Sequence, residues 1–427
     1  MTRAALAIVG VLLLGGGTAA AQTPAAQTPA AQAISTYRPF GTLREQAALQ
    51  QRWLERRLDT VLPALMRKHG VDMWVIPMRE YNEDPTFTSL VSPTTFAARR
   101  RTIYVFFDRC APRGAAVDSA CARGPRGGVE RIALGGTSQG GAYDAVRATK
   151  PVPAPAAGGE GNERTAELWG DEQWQVLKRA VEERRPNAIA VDVSRTFAFA
   201  DGLSAGEMEG MGEALGPEWT RRFVRSEAMA VDLIATRLPE EGEAFRRMTA
   251  LVWAIIDTAF SRAVITPGVT RTDDVVWWMR QRVNDLGLGS WFHPSVSVQR
   301  RGATEAQLGD NPVILRGDVL HCDFGIVAMR LNTDTQHMGY VLLEGETDAP
   351  AGLKRALASS NRLQDIVVAE LRAGRTGNEV LRASLDRARA EGIDGTVYTH
   401  PIGLHGHGAG PLIGLWDYQD GVPGRGD

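Results

Sequence analysis

Two aspartates, Asp323 and Asp334, are separated by ten residues inside the stretch Arg316 to Leu343. Gly317-Asp318 is a turn signal, and Val319 to Phe324 is a short β-type run after it. The spacing leaves room for the end of one strand, a tight turn and the start of the next. Two carboxylates on adjacent antiparallel strands then face one another across a hairpin, the way proteins hold hard or borderline cations through oxygen. By itself the pair reads more simply as two turn residues, so the case for chemistry depends on what the rest of the chain brings to it.

A second cluster lies downstream. His400, His405 and His407 are three of the seven histidines and fall within eight residues, among glycines that let a backbone approach closely. Imidazoles together with carboxylates suit Mn²⁺, Zn²⁺, Co²⁺ or Fe²⁺. A lone histidine is structural by default, whereas a Gly-flanked His-rich run leans towards metal binding or catalysis. His321, two residues before Asp323, shares its strand face. Contact with the site and a buried ring bonded to backbone are both open for it, and His293 is a further candidate for substrate contact.

The elements that must position these groups divide the chain in two. Hydrophobic spacing predicts a helix over Leu43–Arg67, then strands at Met73–Ile76, Ile103–Phe107, Ile132–Leu134 and Ile189–Val193. Helices are predicted over Trp174–Arg184 and Ala205–Leu215, and Lys150–Asn162 reads as a loop. The alternation makes an α/β domain over residues 35–228. From residue 229 the grain changes. A long helix, Glu240–Val264, precedes Pro267-Gly268-Val269-Thr270, and Thr270-x-x-Asp273 reads as the capping box of a helix to Leu286. That order repeats: Leu353–Leu371 precedes Ala373-Gly374-Arg375-Thr376, a helix to Ala390, and Tyr398-Thr399-His400-Pro401, which echoes Trp291-Phe292-His293-Pro294. Residues 229–427 are therefore expected to form an α+β domain of two related halves, with a pseudo-twofold axis and the site at the join.

Composition narrows the partners. With 48 basic and 50 acidic residues the net charge is −2, which argues against nucleic acid or a membrane surface. Arg3, the apolar run Ala4–Leu14 and Ala19-Ala20-Ala21 have the pattern of a signal peptide over residues 1–21. Residues 22–34 follow as a low-complexity tether expected to be disordered. A secreted or periplasmic protein without stable membrane insertion after cleavage is expected. Cys110 and Cys121 then pair in an oxidising compartment, and Cys322 is a small buried apolar residue.

The Asp-Phe-Gly at Asp323, the second aspartate at Asp334, and Gly-His-Gly-x-Gly at Gly406–Gly410 occur in an order that resembles the pita-bread metallopeptidases. These include Xaa-Pro aminopeptidases, prolidases, methionine aminopeptidases and creatinases. The Pro-Gly-Val-Thr turn and the preceding domain, similar to a creatinase N-terminal domain, place the likeness in the Xaa-Pro aminopeptidase and prolidase branch, over about residues 45–427. The resemblance implies two divalent metal ions, manganese first and zinc or cobalt as alternatives, held by two Asp, one His and two Glu. Asp323 would be a terminal ligand, Asp334 a bridge and His407 the imidazole, with metal-activated water attacking the scissile carbonyl. His405 and His400 would be catalytic, and His321, His293 and Trp416 would contact substrate or support the ligands. The implied activity is an exported aminopeptidase acting on Xaa-Pro peptides, and a homodimer is compatible with it.

Two departures stand beside this likeness. The family's two glutamate ligands lie beyond the Gly-His-Gly-x-Gly run, yet no Glu follows His407 in the twenty residues to Asp427. The expected substrate-binding histidine is missing between Ser295 and Arg316, and Trp416-Asp417 stands where a later histidine pair belongs. The expectation is a chain cut short at its C-terminus, with weak metal binding and little activity as it stands. Two other readings remain open: an inactive member that acts as a peptide-binding module, and a creatinase-like hydrolase of a small non-peptide substrate.

Overall fold

Thr42 starts the first helix as a reciprocal cap: its hydroxyl accepts from the Glu45 N–H, and the Glu45 carboxylate accepts from the Thr42 N–H. The computed structural model describes residues 38–110, 116–152 and 164–422; the expected signal peptide and tether lie outside them. The helix predicted over Leu43–Arg67 runs as Leu43–Arg56, a wide π-type turn Arg57–Val61, and Leu62–Lys68. Pro63 explains the widening, because it has no N–H for the Asp59 carbonyl and its ring crowds that group.

The α/β domain is built on strands β1 (Met73–Arg79), β2 (Arg101–Asp108), β3 (Val129–Leu134), β4 (Asp144–Val146), β5 (Thr149–Val152), β6 (Arg164–Glu167), β7 (Ile189–Val191) and β8 (Phe223–Arg225). Six of them form one sheet in the order β4-β3-β2-β1-β7-β8. Its centre reads as unbroken apolar runs because both faces are covered. Trp74, Ile76, Tyr104 and Phe106 pack beneath the first helices, and Met73, Val75, Ile103 and Val105 pack against Trp174, Leu177 and Met211. The loop predicted over Lys150–Asn162 is partly a ribbon instead, with β5 and β6 antiparallel. Pro151 in so short a run hides the strand, since proline is tolerated only at such edges.

Cys110 and Cys121 are joined, with their Cα atoms 5.4 Å apart, and Cys322 is buried and free. Closing a loop of this length is worth about 3 kcal/mol on chain-entropy grounds. Reduction, or the paired Cys110→Ser and Cys121→Ser substitutions, is expected to lower the thermal midpoint accordingly; a melt indifferent to reductant would contradict it.

In the second domain the helix from Pro239 ends at Ala259, earlier than predicted. The Ser261 hydroxyl accepts from the Ala263 N–H and donates to the Thr258 carbonyl, a local alternative to continued helix. The next helix is Thr272–Asp285, and Thr270 does not cap it. Asp274 accepts from the Arg271 N–H, while the Thr270 hydroxyl accepts from the Thr266 N–H in the preceding turn.

Three antiparallel strands follow, β9 (Ser295–Gln299), β10 (Val319–Phe324) and, after a small hairpin of β11 (Val327–Ala328) and β12 (Leu331–Asn332), β13 (Thr335–Tyr340). Their order is β13-β10-β9. Alternation decides the faces. Val296, Val298, Leu320, Cys322 and Phe324 are buried against Met248, Val252 and Ile255 of the long helix. Ser295, Ser297, His321, Asp323, Gln336 and Met338 lie on the opposite, open face.

The echo later in the chain holds for its two helices, Ala351–Glu370 and Gly377–Ala390, the second capped reciprocally by Thr376 and Glu379. Among the described residues, strand pairing after them is limited to isolated bridges such as Thr399 to Ile413. From Arg38 onward the described residues form one compact unit, and none of their helices is long and apolar enough to cross a membrane.

Candidate metal centre

The β10–β13 register sets Asp323 opposite Gln336 and Phe324 opposite Thr335, so Asp334 enters β13 directly beside Asp323. The two carboxyl groups lie within hydrogen-bonding reach of one another. The Oδ1 atom of each is buried and has no hydrogen-bond partner. Burial, reinforced by Asp334, pushes Asp323 up to about 7, with the His400 imidazole pulling the other way. His400 Nε2 is 3.1 Å from Asp334 Oδ2, and its Nδ1 is 3.1 Å from the Pro401 carbonyl.

His407 lies one ring further out. It is exposed, edge-on to His400 at 4.6 Å between centroids, and 5.4 Å from the Trp291 ring. His400 therefore touches the aspartate pair directly, and His407 reaches it through His400. His405 packs on Phe199 of the α/β domain at 4.8 Å, and its Nδ1 is buried without a partner. Burial, with the Arg237 charge nearby, lowers its pKa. His321 takes the open-face option, with Nε2 3.0 Å from Gln336 Oε1.

Two candidates make their contacts elsewhere. His293 is held by Arg280, 3.3 Å from its Nδ1, and by the exposed Trp277, both on the helix Thr272–Asp285. Trp416 is 78% exposed on a turn closed by Leu415 and Tyr418.

Other residues that shape the site were not singled out from sequence. Trp291 donates from Nε1 to the Thr333 carbonyl at 2.8 Å. A Cβ at either Gly325 or Gly406 would collide with its indole. The glycines of the Asp-Phe-Gly and Gly-His-Gly motifs thus close on one aromatic pillar, which sequence showed only as part of a repeated tetrapeptide. Asn332 donates from its backbone N–H and from Nδ2 to the Gly403 carbonyl, at 2.8 and 3.0 Å, tying the hairpin to the histidine loop. His337 is opposite Cys322 and so on the core face, 4.0 Å from Trp253, with burial lowering its pKa.

The donors fit a divalent cation in kind. Two touching carboxylates with unpartnered buried oxygens and an imidazole alongside lack only positive charge. In number the set is short: among the described residues no three His, Cys, Asp or Glu side chains are arranged as a cage.

Comparison with known proteins agrees with this domain order. Residues 243–423 match metallopeptidase family M24. X-Pro aminopeptidase from Thermotoga maritima MSB8 is a structural neighbour at 16% identity and TM-score 0.53, over 84% of this chain and 87% of that one. Dipeptidase PepE from Mycobacterium ulcerans is similar at 16% identity and TM-score 0.50, over 86% and 85% of the two chains. At such identity these two speak for the fold alone, and no curated protein matches. The residues that match the M24 model follow an α/β domain, the domain order and fold class that the motifs resemble.

Proposed function

We propose that this chain is a metal-dependent aminopeptidase-like hydrolase that removes the N-terminal residue from peptides with proline in second position. It would act outside the cytoplasm after loss of residues 1–21 and use two divalent cations, manganese before zinc or cobalt. The supporting observation is the Asp323–Asp334 pair, two neighbouring carboxylates each with a buried Oδ1 that lacks a partner, within the residues that match the M24 model. Such a pair is relieved by a cation or by a shared proton.

Asp323 and Asp334 would hold the cations, with His407 as the imidazole ligand. When bound, the cations supply Lewis acidity towards a peptide carbonyl and acidify water. His400, oriented by the Pro401 carbonyl at Nδ1, presents Nε2 for proton transfer beside Asp334. His405, kept neutral at pH 7 by burial and Arg237, offers a hydrogen bond to a developing oxyanion. Trp291 and Phe199 pack on the histidine loop, against His407 and His405 respectively. The His321–Gln336 pair extends the polar face along which a peptide lies.

The protein loaded with Mn²⁺ is expected to favour Xaa-Pro over Xaa-Ala peptides by roughly tenfold or more in kcat/KM. EDTA should abolish turnover. A cooperatively folded protein inactive with Mn²⁺, Zn²⁺ and Co²⁺ would sink the reading. The short donor count favours a second reading, a peptide-binding module without catalysis. Calorimetry separates the two, since a module binds Xaa-Pro peptide without Mn²⁺ and is indifferent to Asp334→Ala.

A further inference from the structure

The hairpin joining Asp323 to Asp334 turns through Met329 and Arg330, both left-handed at φ 51° and 64°. A two-residue turn with positive φ at both positions favours Asn-Gly, and other side chains there cost of order 1 kcal/mol each. Each residue has a compensating contact. Met329 is buried in the core of the second domain. Arg330 crosses to the α/β domain. Its Nη1 donates to the Thr88 and Val91 carbonyls at 3.1 and 2.9 Å, and its Nη2 to those of Ser92 and Thr95 at 3.0 and 3.1 Å.

All these acceptors belong to one segment, the short helix Phe87–Leu90 and the loop after it. That segment is itself braced. Asp84 accepts from the Thr86 N–H and hydroxyl at 2.8 and 2.6 Å, and Gln139 Oε1 accepts from the Ser92 N–H and the Thr95 hydroxyl at 2.9 and 2.8 Å. At the base of the hairpin, the Ile326 N–H donates to Thr333 Oγ1 at 3.0 Å, and Asn332 holds Gly403. Strained backbone persists only where its surroundings over-determine it, and here they hold both ends of the connection between two carboxylates.

We propose that Arg330 is a positioning residue: by pinning the hairpin tip to residues 88–95, it sets the separation of Asp323 and Asp334 and thereby the cation affinity of that pair. The consequence for the cation rests on the metal-centre reading above; the clamp does not.

Arg330→Gly relieves the turn while deleting the clamp, and Arg330→Lys keeps the charge but cannot fork across the carbonyls. Both are compared with the native full chain by peptide-level hydrogen exchange over residues 319–340 and 86–96, by Mn²⁺ calorimetry and by thermal melting. Expected are exchange through residues 325–335 faster by about tenfold and an Mn²⁺ Kd raised by roughly ten- to a hundredfold, as for groups that orient metal ligands. If Arg330→Gly does not fold, Arg330→Lys carries the same comparison. Native-like exchange and affinity would overturn the proposal, as would a lower melting point with Mn²⁺ affinity unchanged. If the native chain binds no Mn²⁺, the metal-centre reading fails, and the exchange rates alone decide the clamp.

Discussion

Asp323→Asn is expected to stabilise the metal-free protein at pH 8 and to remove its stabilisation by Mn²⁺. Asp323 titrates near 7 in the folded protein, because burial and Asp334 both disfavour its charge. In the unfolded chain an aspartate titrates near 3.9. Between these values the folded state binds more protons, so the favourable contribution is complete below pH 4 and is lost as pH rises through 7. At pH 8 the pair opposes folding by on the order of 1–2 kcal/mol, discounted because solvent reaches the partly buried carboxylate. The amide carries no charge, so the penalty disappears.

A cation that binds only the folded state adds about 2.7 kcal/mol at a hundred times its Kd, and the variant should forfeit that gain. Melts at pH 5 and pH 8, each with EDTA and with Mn²⁺, measure both effects. A variant still stabilised by Mn²⁺ would show that the cation binds elsewhere. One less stable than native in EDTA at pH 8 would show that the carboxylates do not repel.

Arg57→Met should cost roughly 3–5 kcal/mol, the usual loss when one partner of a buried ion pair is removed. Arg57 stands in the π-type turn, and its Nη2 is 2.7 and 2.9 Å from the two oxygens of Glu241 on the long helix of the second domain. The side chains are 4% and 3% exposed. Nη1 also donates to the Leu233 and Thr236 carbonyls in the connection between the domains, at 3.0 and 2.7 Å. Glu241 in turn accepts from the Leu238 N–H at 2.7 Å, so its orphaned charge would sit at a helix start. Arg237, 3.8 Å from Glu241, compensates only in part, because at that distance it makes no hydrogen bond to the carboxylate. Arg57→Met with Glu241→Leu should recover more than half of the loss, since no unpaired charge is then buried. Urea unfolding of the single and double variants gives both numbers, and a single-variant cost below about 1 kcal/mol would deny the pair its structural role.

Much of this protein is local and therefore legible in its residues. The central strands of the α/β sheet are continuous apolar runs, and the helix Ala205–Leu215 has the bounds its spacing predicts. The adjacency of Asp323 and Asp334 follows from a strand, a turn and a second strand, all within one stretch of chain. Where prediction missed, another group competed for the same backbone: Pro63 widened a helix, Ser261 ended one, and Asp274 took the cap expected of Thr270.

The encounters between distant segments were decided by tertiary structure alone. That His400 meets Asp334, that Trp291 stands between two glycine motifs, and that Arg330 reaches Thr88 all depend on how the halves pack. Residue type and spacing determine which groups are able to hold a cation and which strand face they share. Side-chain contacts across many tens of residues decide which imidazole arrives first, because their energies belong to the packed pair and to neither segment by itself.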